Sequence, residues 1–386
     1  MWFRDSPDYS VMPGTQASVA GFWTCLRGWH QSQLIRTEQM TKWFTAGLVA
    51  VLTLLTGARL EAQIEPRVTN YAELAFYPDR WVQHQVPFEM SAWHGKNVVL
   101  LTKPLEFDRQ QIQQFVDRLD GGWSTYEAII EKTPGLFRQI DGKATICALP
   151  RGDLSCGYGC GYVGATGIEV AGFYDNDWPA FQKNPQVFSH YYFYELGRNF
   201  YVFEDRHSLF TTGYAVFMRY VCMDHLKCED PDLATRQTIE RCEEVYANCD
   251  LAFLDAFTNL TTGEKGNRLK DPKTGQTISP SDQPVMYATA MLKLRKDHGG
   301  DDWLRRFYVH LHKCPQVQAT TEATALEQAM NWLVCASAAA GQDLSPVFAD
   351  RWRMPLSAKQ RVILSEVRWN DTEINVPEII QQLKSP

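Results

Sequence analysis

The sequence predicts an α+β protein, with an N-terminal mixed strand/helix subdomain followed by a mainly helical subdomain. Short apolar runs bounded by turn residues lie before residue 180, and helical spacing of apolar residues dominates after Pro185. No internal repeat or heptad array breaks that order. At 386 residues the chain is long enough to bury a substantial core.

Residues 1–39 read as an over-long leader or an early start, and residues 40–62 as a signal peptide. Lys42 precedes an apolar run from Trp43 to Leu55, after which the chain turns small and polar. That run is well short of the roughly 20 residues a membrane span needs. The expectation is an exported protein, periplasmic or extracellular, whose mature chain starts near Arg59 or Gln63 and keeps no membrane span.

Residues 63–180 form the mixed α/β subdomain. "NVVLLT" (Asn97 to Thr102) and "ATICAL" (Ala144 to Leu149) read as buried strands, and "YVGATGIEVAGF" (Tyr162 to Phe173) as another, punctuated by Gly164 and Gly167. Between them a helix is predicted from about Asp108 to Lys132, with Ile112, Phe115, Val116 and Leu119 on one face and a break or kink at Gly121-Gly122. Residues 181–386 form the helical subdomain. Helices are expected near 187–203, 211–227, 234–258, 285–297, 301–313, 323–340 and 375–384, with a long loop from Leu260 to Pro284.

Composition narrows the function classes. A net charge of −7 argues against nucleic-acid binding, which needs a basic face. Of the ten cysteines, all but Cys25 follow the signal segment, and in an exported chain they read as disulfides rather than metal ligands. "CGYGC" (Cys156 to Cys160) has no matching pair at finger spacing. There is no nucleophile elbow, Walker loop or dinucleotide motif.

The stretch that carries chemistry is "HYYFYELGRNF" (His190 to Phe200). Glu195 and Arg198 stand three apart on a predicted helix, where they can pair, and they sit among aromatics that would bury them. The frame "YELGRNF" resembles the "HELGHNF" of the gluzincin zinc metallopeptidases, with Tyr194 and Arg198 in place of the two histidines. The resemblance extends to "GATGIEV" (Gly164 to Val170) as an edge strand and to "TTGYAVFMRYV", where Thr212 stands for the glutamate ligand. "AAAGQDLSPVFADRWRMPL" (Ala338 to Leu356) is similar to the closing segment of such domains.

The resemblance implies a zincin-like fold in which Glu195 matches the general base, while Tyr194, Arg198 and Thr212 cannot hold zinc between them. No metal and no cofactor is expected. His190, Thr212, Tyr214, Glu169 and His207 are the candidate binding residues around Glu195, Arg198 and Tyr194. A His190/His207/carboxylate metal site is a further option, and Glu204 and Asp205 add carboxylates near the cleft. The function this implies is an exported, zinc-free pseudopeptidase that binds an extended peptide or glycan. The alternatives are a metal-independent hydrolase using Glu195 as acid or base, or a purely structural secreted protein.

Overall fold

The computed structural model describes residues 67–68, 74, 76, 89–150, 157–206, 211–258, 260 and 269–384. The leader and signal segments, Cys156 and His207 lie outside the described residues. Residues 65–386 form one compact unit.

Its sheet is built from β1 (Arg67–Val68), β2 (Met90–His94), β3 (Val98–Thr102), β4 (Gln139–Ile140), β5 (Lys143–Ala148), β6 (Gly159–Gly161) and β7 (Ile168–Val170), in the order β1-β2-β3-β5-β7-β6, with β4 paired to β5. β3, β5 and β7 run parallel, and β6 returns antiparallel along β7 as the edge. The pleat sends alternate residues of a strand to opposite faces. Accordingly Val98 and Leu100 join the main core, while Val99 and Leu101 join a smaller cluster with Met90, Ala92 and Cys147. The expected edge strand "GATGIEV" is therefore corrected. Only Ile168–Val170 of it is strand, and it is flanked by β5 and β6. Gly164 and Gly167 take the positive-φ turn that leads into it.

The helix α1 (Arg109–Ile130) makes the crossover from β3 toward β5. Asp108 caps it by accepting from Gln111 N, and Ile112, Phe115, Val116 and Leu119 are buried as the periodicity predicts. The expected break at Gly121-Gly122 does not occur, and the helix runs straight through both. The glycines are instead contact points. A Cβ on Gly122 would lie 2.5 Å from the Phe193 ring, and one on Gly121 would lie 2.7 Å from Leu226.

After a π-turn at Phe173–Asp177 come α2 (Trp178–Lys183), α3 (His190–Asn199), α4 (Thr211–Leu226), α5 (Leu233–Ala247), α6 (Phe253–Phe257), α7 (Gln283–Asp297), α8 (Asp301–Leu311), α9 (Glu322–Ala340), α10 (Ala358–Glu366) and α11 (Val376–Lys384). The predicted helix 234–258 divides into α5 and α6, separated by an irregular stretch after Asn248. Sequence periodicity missed α2, which is under two turns long, and α10, which buries only Leu364 and so carries no repeating apolar face, whereas the equally short α11 buries Val376, Ile379, Ile380 and Leu383. Of the predicted loop 260–284, the described part from Leu269 to Ser281 holds no helix or strand and carries a cis Ser279–Pro280 bond.

The segment after α9 closes the helical half onto α5. Trp352 Nε1 donates to Glu243 Oε1 at 2.7 Å, Arg351 forks onto the same carboxylate, and Arg353 donates to the Tyr246 and Leu251 carbonyls. Trp332 and Trp352 stack at 5.4 Å with Phe257 and Phe348 against their edges. Each such buried aromatic removes enough apolar surface to contribute about 2–3 kcal/mol.

Candidate functional site

The centre of the site is α3, and its position follows from local contacts. Gly197 lets α3 lie close to α4, since a Cβ there would sit 3.0 Å from the Ala215 backbone and 2.7 Å from the Tyr126 hydroxyl. That hydroxyl donates to the Phe193 carbonyl at 2.7 Å and ties α3 to α1. At the other end, the Arg198 carbonyl accepts from Gly164 N and Tyr201 N, joining the helix terminus to the turn before β7.

Glu195 lies beneath β6. Its side chain is 3% exposed, and Oε2 makes no hydrogen bond within the protein. A Cβ on Gly159 would stand 2.9 Å from its Oε1, and one on Gly161 would stand 2.7 Å from its backbone oxygen. Glycine at both positions is what allows β6 to rest on the helix. Burial pushes the Glu195 carboxyl up to about 7, against the opposing pull of Arg198. Near neutrality it is therefore divided between acid and carboxylate.

Arg198 stands 3.9 Å from Glu195 Oε2, an ion-pair approach rather than a hydrogen bond. Its Nε instead donates to the Gly161 carbonyl at 3.2 Å. Asn199 Nδ2 donates to the Tyr162 carbonyl at 2.9 Å and reaches the Gly167 carbonyl at 3.4 Å. In β6, the Tyr158 carbonyl and Tyr162 N bond toward β7, so alternation turns the peptide groups of Gly159 and Gly161 to the other edge. The side chain of Arg198 caps part of that edge.

The other predicted residues divide into groups. Tyr194 is half-buried, with the Arg219 guanidinium 5.9 Å from its ring centre. Thr212 lies in the first turn of α4, and its side chain is outside the described residues. His190 is buried and its Nδ1 lies 3.0 Å from Asp230 Oδ1. Burial and the nearby Arg219 hold its pKa below the ordinary histidine value, so it is neutral at pH 7 with Nδ1–H donating to the Asp230 carboxylate.

Glu169 does not join Glu195. Its neighbours Ile168 and Val170 face the main core, so Glu169 turns to the opposite face of the sheet, where its charge acts on Cys147. Tyr214 is fully buried among Tyr126, Tyr201, Phe203 and Tyr308 and serves packing rather than a cleft. Glu204 is exposed and pairs with Arg206 at 3.0 Å.

The set does not fit zinc. The Arg198 guanidinium is a permanent cation with no lone pair to offer, which leaves His190 Nε2 as the one imidazole nitrogen of α3 that could reach a metal. Among the described residues no group of three or more His, Cys, Asp or Glu side chains is placed to hold a metal ion. No described helix is long and apolar enough to cross a membrane. Cys160 is disulfide-bonded, while Cys147, Cys222, Cys228, Cys242, Cys249, Cys314 and Cys335 are free thiols in this structure.

Sequence reading missed the open cavity beside the site. It holds about 550 Å³ and is lined by Tyr158, Asp175, Asp177, Ser189, Tyr191 and Asp232, among others. Tyr158 and Tyr191 stack at its wall with ring centres 5.1 Å apart and planes at 13°. It also missed Arg219, Asp230, Asn199 and the glycines of β6. One signal was available: "GCG" (Gly159 to Gly161) has glycine at alternate positions, hence on one face of a strand, the mark of close backbone approach.

No protein-family model matches the sequence, and no curated protein matches it. Among solved structures, the chain is similar to a functionally unknown conserved protein from Bacillus anthracis str. Ames, at 11% identity and a TM-score of 0.44. The match covers 76% of this chain and 57% of that one, so the chain spans little more than half the length of that protein.

Proposed function

We propose that this chain is an exported, zinc-free relative of the gluzincin peptidases that binds an extended peptide, with a basic side chain seated in the cavity beside α3. The observation that carries this reading is the cavity itself. Asp175, Asp177 and Asp232 supply negative charge, and the stacked Tyr158 and Tyr191 supply flat aromatic faces. Carboxylates and an aromatic face together recognise a guanidinium or ammonium group. Asp232 Oδ1 also caps α5 through Thr235 N at 3.3 Å, which fixes that side chain at the rim. The buried state of Glu195 beneath β6 supports binding over cleavage, since a general base must reach the proton it removes.

A second reading has one observation in its favour. A carboxyl with a pKa of about 7 is well matched to acid–base work at neutral pH, as a metal-independent hydrolase would require.

Binding of Lys- and Arg-containing peptides, measured by calorimetry at low and high salt, tests the first reading. The expected result is affinity that falls as salt rises, and that Asp175→Asn or Asp232→Asn weakens by about tenfold or more. Unchanged affinity in both variants, or binding of neutral glycans in place of peptides, would overturn it. Hydrolysis that disappears in Glu195→Gln would replace it with the second reading.

A further inference from the structure

Two of the free thiols make a contact that the site does not use. Cys314 lies three residues beyond α8 and Cys335 lies within α9, 21 positions along the chain, with their sulfurs 3.2 Å apart. Both are buried, at 3% and 0% exposure. We propose that Cys314 and Cys335 are joined by a disulfide when the chain folds in an oxidising compartment, and that this bond fastens the end of α8 to α9.

The geometry needs little adjustment. A disulfide bond is about 2.05 Å long, so the two sulfurs have about 1 Å to close. The chemistry is thiol–disulfide exchange with an oxidised dithiol or glutathione disulfide as the oxidant. One cysteine thiolate attacks a sulfur of that disulfide and expels the other as a thiolate. The second cysteine then attacks the mixed disulfide, forming the Cys314–Cys335 bond. The two protein sulfurs lose two electrons, which leave on the reagent's two sulfurs, and the two thiol protons end on the released thiols. Burial also sets the timing. Cys335 is enclosed, and burial together with its neighbour Cys314 raises its pKa, so the folded thiol resists attack from outside. The bond forms while α8 and α9 are still docking.

The bond acts on a buttress of α3. The Cys314 carbonyl accepts from Arg206 Nε at 2.9 Å, and Asn331 Nδ2 donates to the Arg206 and Pro315 carbonyls at 3.1 Å. Gln328 Nε2 reaches the Asp205 carbonyl at 2.9 Å, and Val317 N reaches the same oxygen at 3.0 Å. Fixing Cys314 therefore fixes the turn at Glu204–Arg206 that connects α3 to α4.

The test is oxidative refolding of the full chain in a glutathione redox buffer, followed by alkylation, digestion and mass spectrometry. The expected product is a Cys314–Cys335 linked peptide pair, about 2 Da lighter than the sum of its free thiols. The oxidised protein should melt several degrees above the protein refolded in reductant, and Cys314→Ala/Cys335→Ala should melt with the reduced form. Alkylation of both cysteines after oxidative refolding would overturn the proposal, as would linkage of either to another cysteine. Identical melting of the oxidised and reduced forms would overturn the fastening role. Adding the same oxidant to the reduced, already folded protein should link the pair far more slowly than refolding does.

Discussion

At the scale of single residues, Glu195 connects the local chemistry of the site to the stability of the fold. An unfolded glutamate titrates at about 4.5 and this one at about 7, so the folded state holds the extra proton across that interval. Its contribution is fully present below pH 4.5 and is lost as pH rises through 7. A difference of this size corresponds to roughly 3 kcal/mol. Glu195→Gln, which keeps the shape and removes the charge, is expected to be more stable than wild type at pH 8 by up to about that amount and nearly equal to it at pH 4. His310 and His312 act in the opposite sense. Burial lowers both to about 4, so the stability they contribute is present above 6.5 and lost as pH falls through 4. Urea unfolding between pH 4 and 8 should therefore show a rising profile in Glu195→Gln where wild type is flatter. Arg198 is a looser partner than the helix spacing implies, because its Nε bonds β6 and stands 3.9 Å from the carboxylate. A Glu195/Arg198 double-mutant cycle should give a coupling of about 1 kcal/mol, short of the 3–5 kcal/mol lost when a tight buried pair is broken.

At the scale of elements, the packing of β6 on α3 depends on what stands at two glycines. In Gly161→Ala the new methyl meets the Glu195 backbone oxygen at 2.7 Å, and backbone cannot swing aside. In Gly159→Ala it meets Glu195 Oε1 at 2.9 Å, the end of a side chain that can. Gly161→Ala is expected to cost about 1–3 kcal/mol, as overpacking does, and Gly159→Ala clearly less. Thermal melting of the two variants checks the order. Combining Glu195→Ala with each should relieve the first substitution little and the second largely. The same logic explains α1, where Gly121-Gly122 looked like a break. Tertiary contact with Leu226 and Phe193 decided their role.

At the scale of the whole molecule, the C-terminal segment holds the helical half closed through one carboxylate. Glu243 is 5% exposed and receives Arg351 and Trp352 together, while Tyr246 donates its hydroxyl to the Trp352 carbonyl at 2.6 Å. Glu243→Ala leaves the buried Trp352 indole N–H without its acceptor and a partly exposed guanidinium without its partner, and is expected to cost about 1–3 kcal/mol. Limited proteolysis should then cut first near residues 345–357, before the α3 region is released.

The sequence by itself determined the order of the elements. Apolar periodicity over long helices and short valine- and leucine-rich runs reports burial directly, so α1, α4, α7, α8, α9 and β3 are legible. It also determined that Glu195 and Arg198 share one helix amid aromatics. Which groups actually meet was decided only by tertiary structure, because a strand's neighbours and a glycine's contacts come from distant segments. The pleat of β7 turned Glu169 away from Glu195, core packing took Tyr214, and Asp230, forty positions on, engaged His190. The cavity drew Tyr158, Asp177, Tyr191 and Asp232 from four separate stretches of chain, and no spacing rule joins residues that only folding brings together.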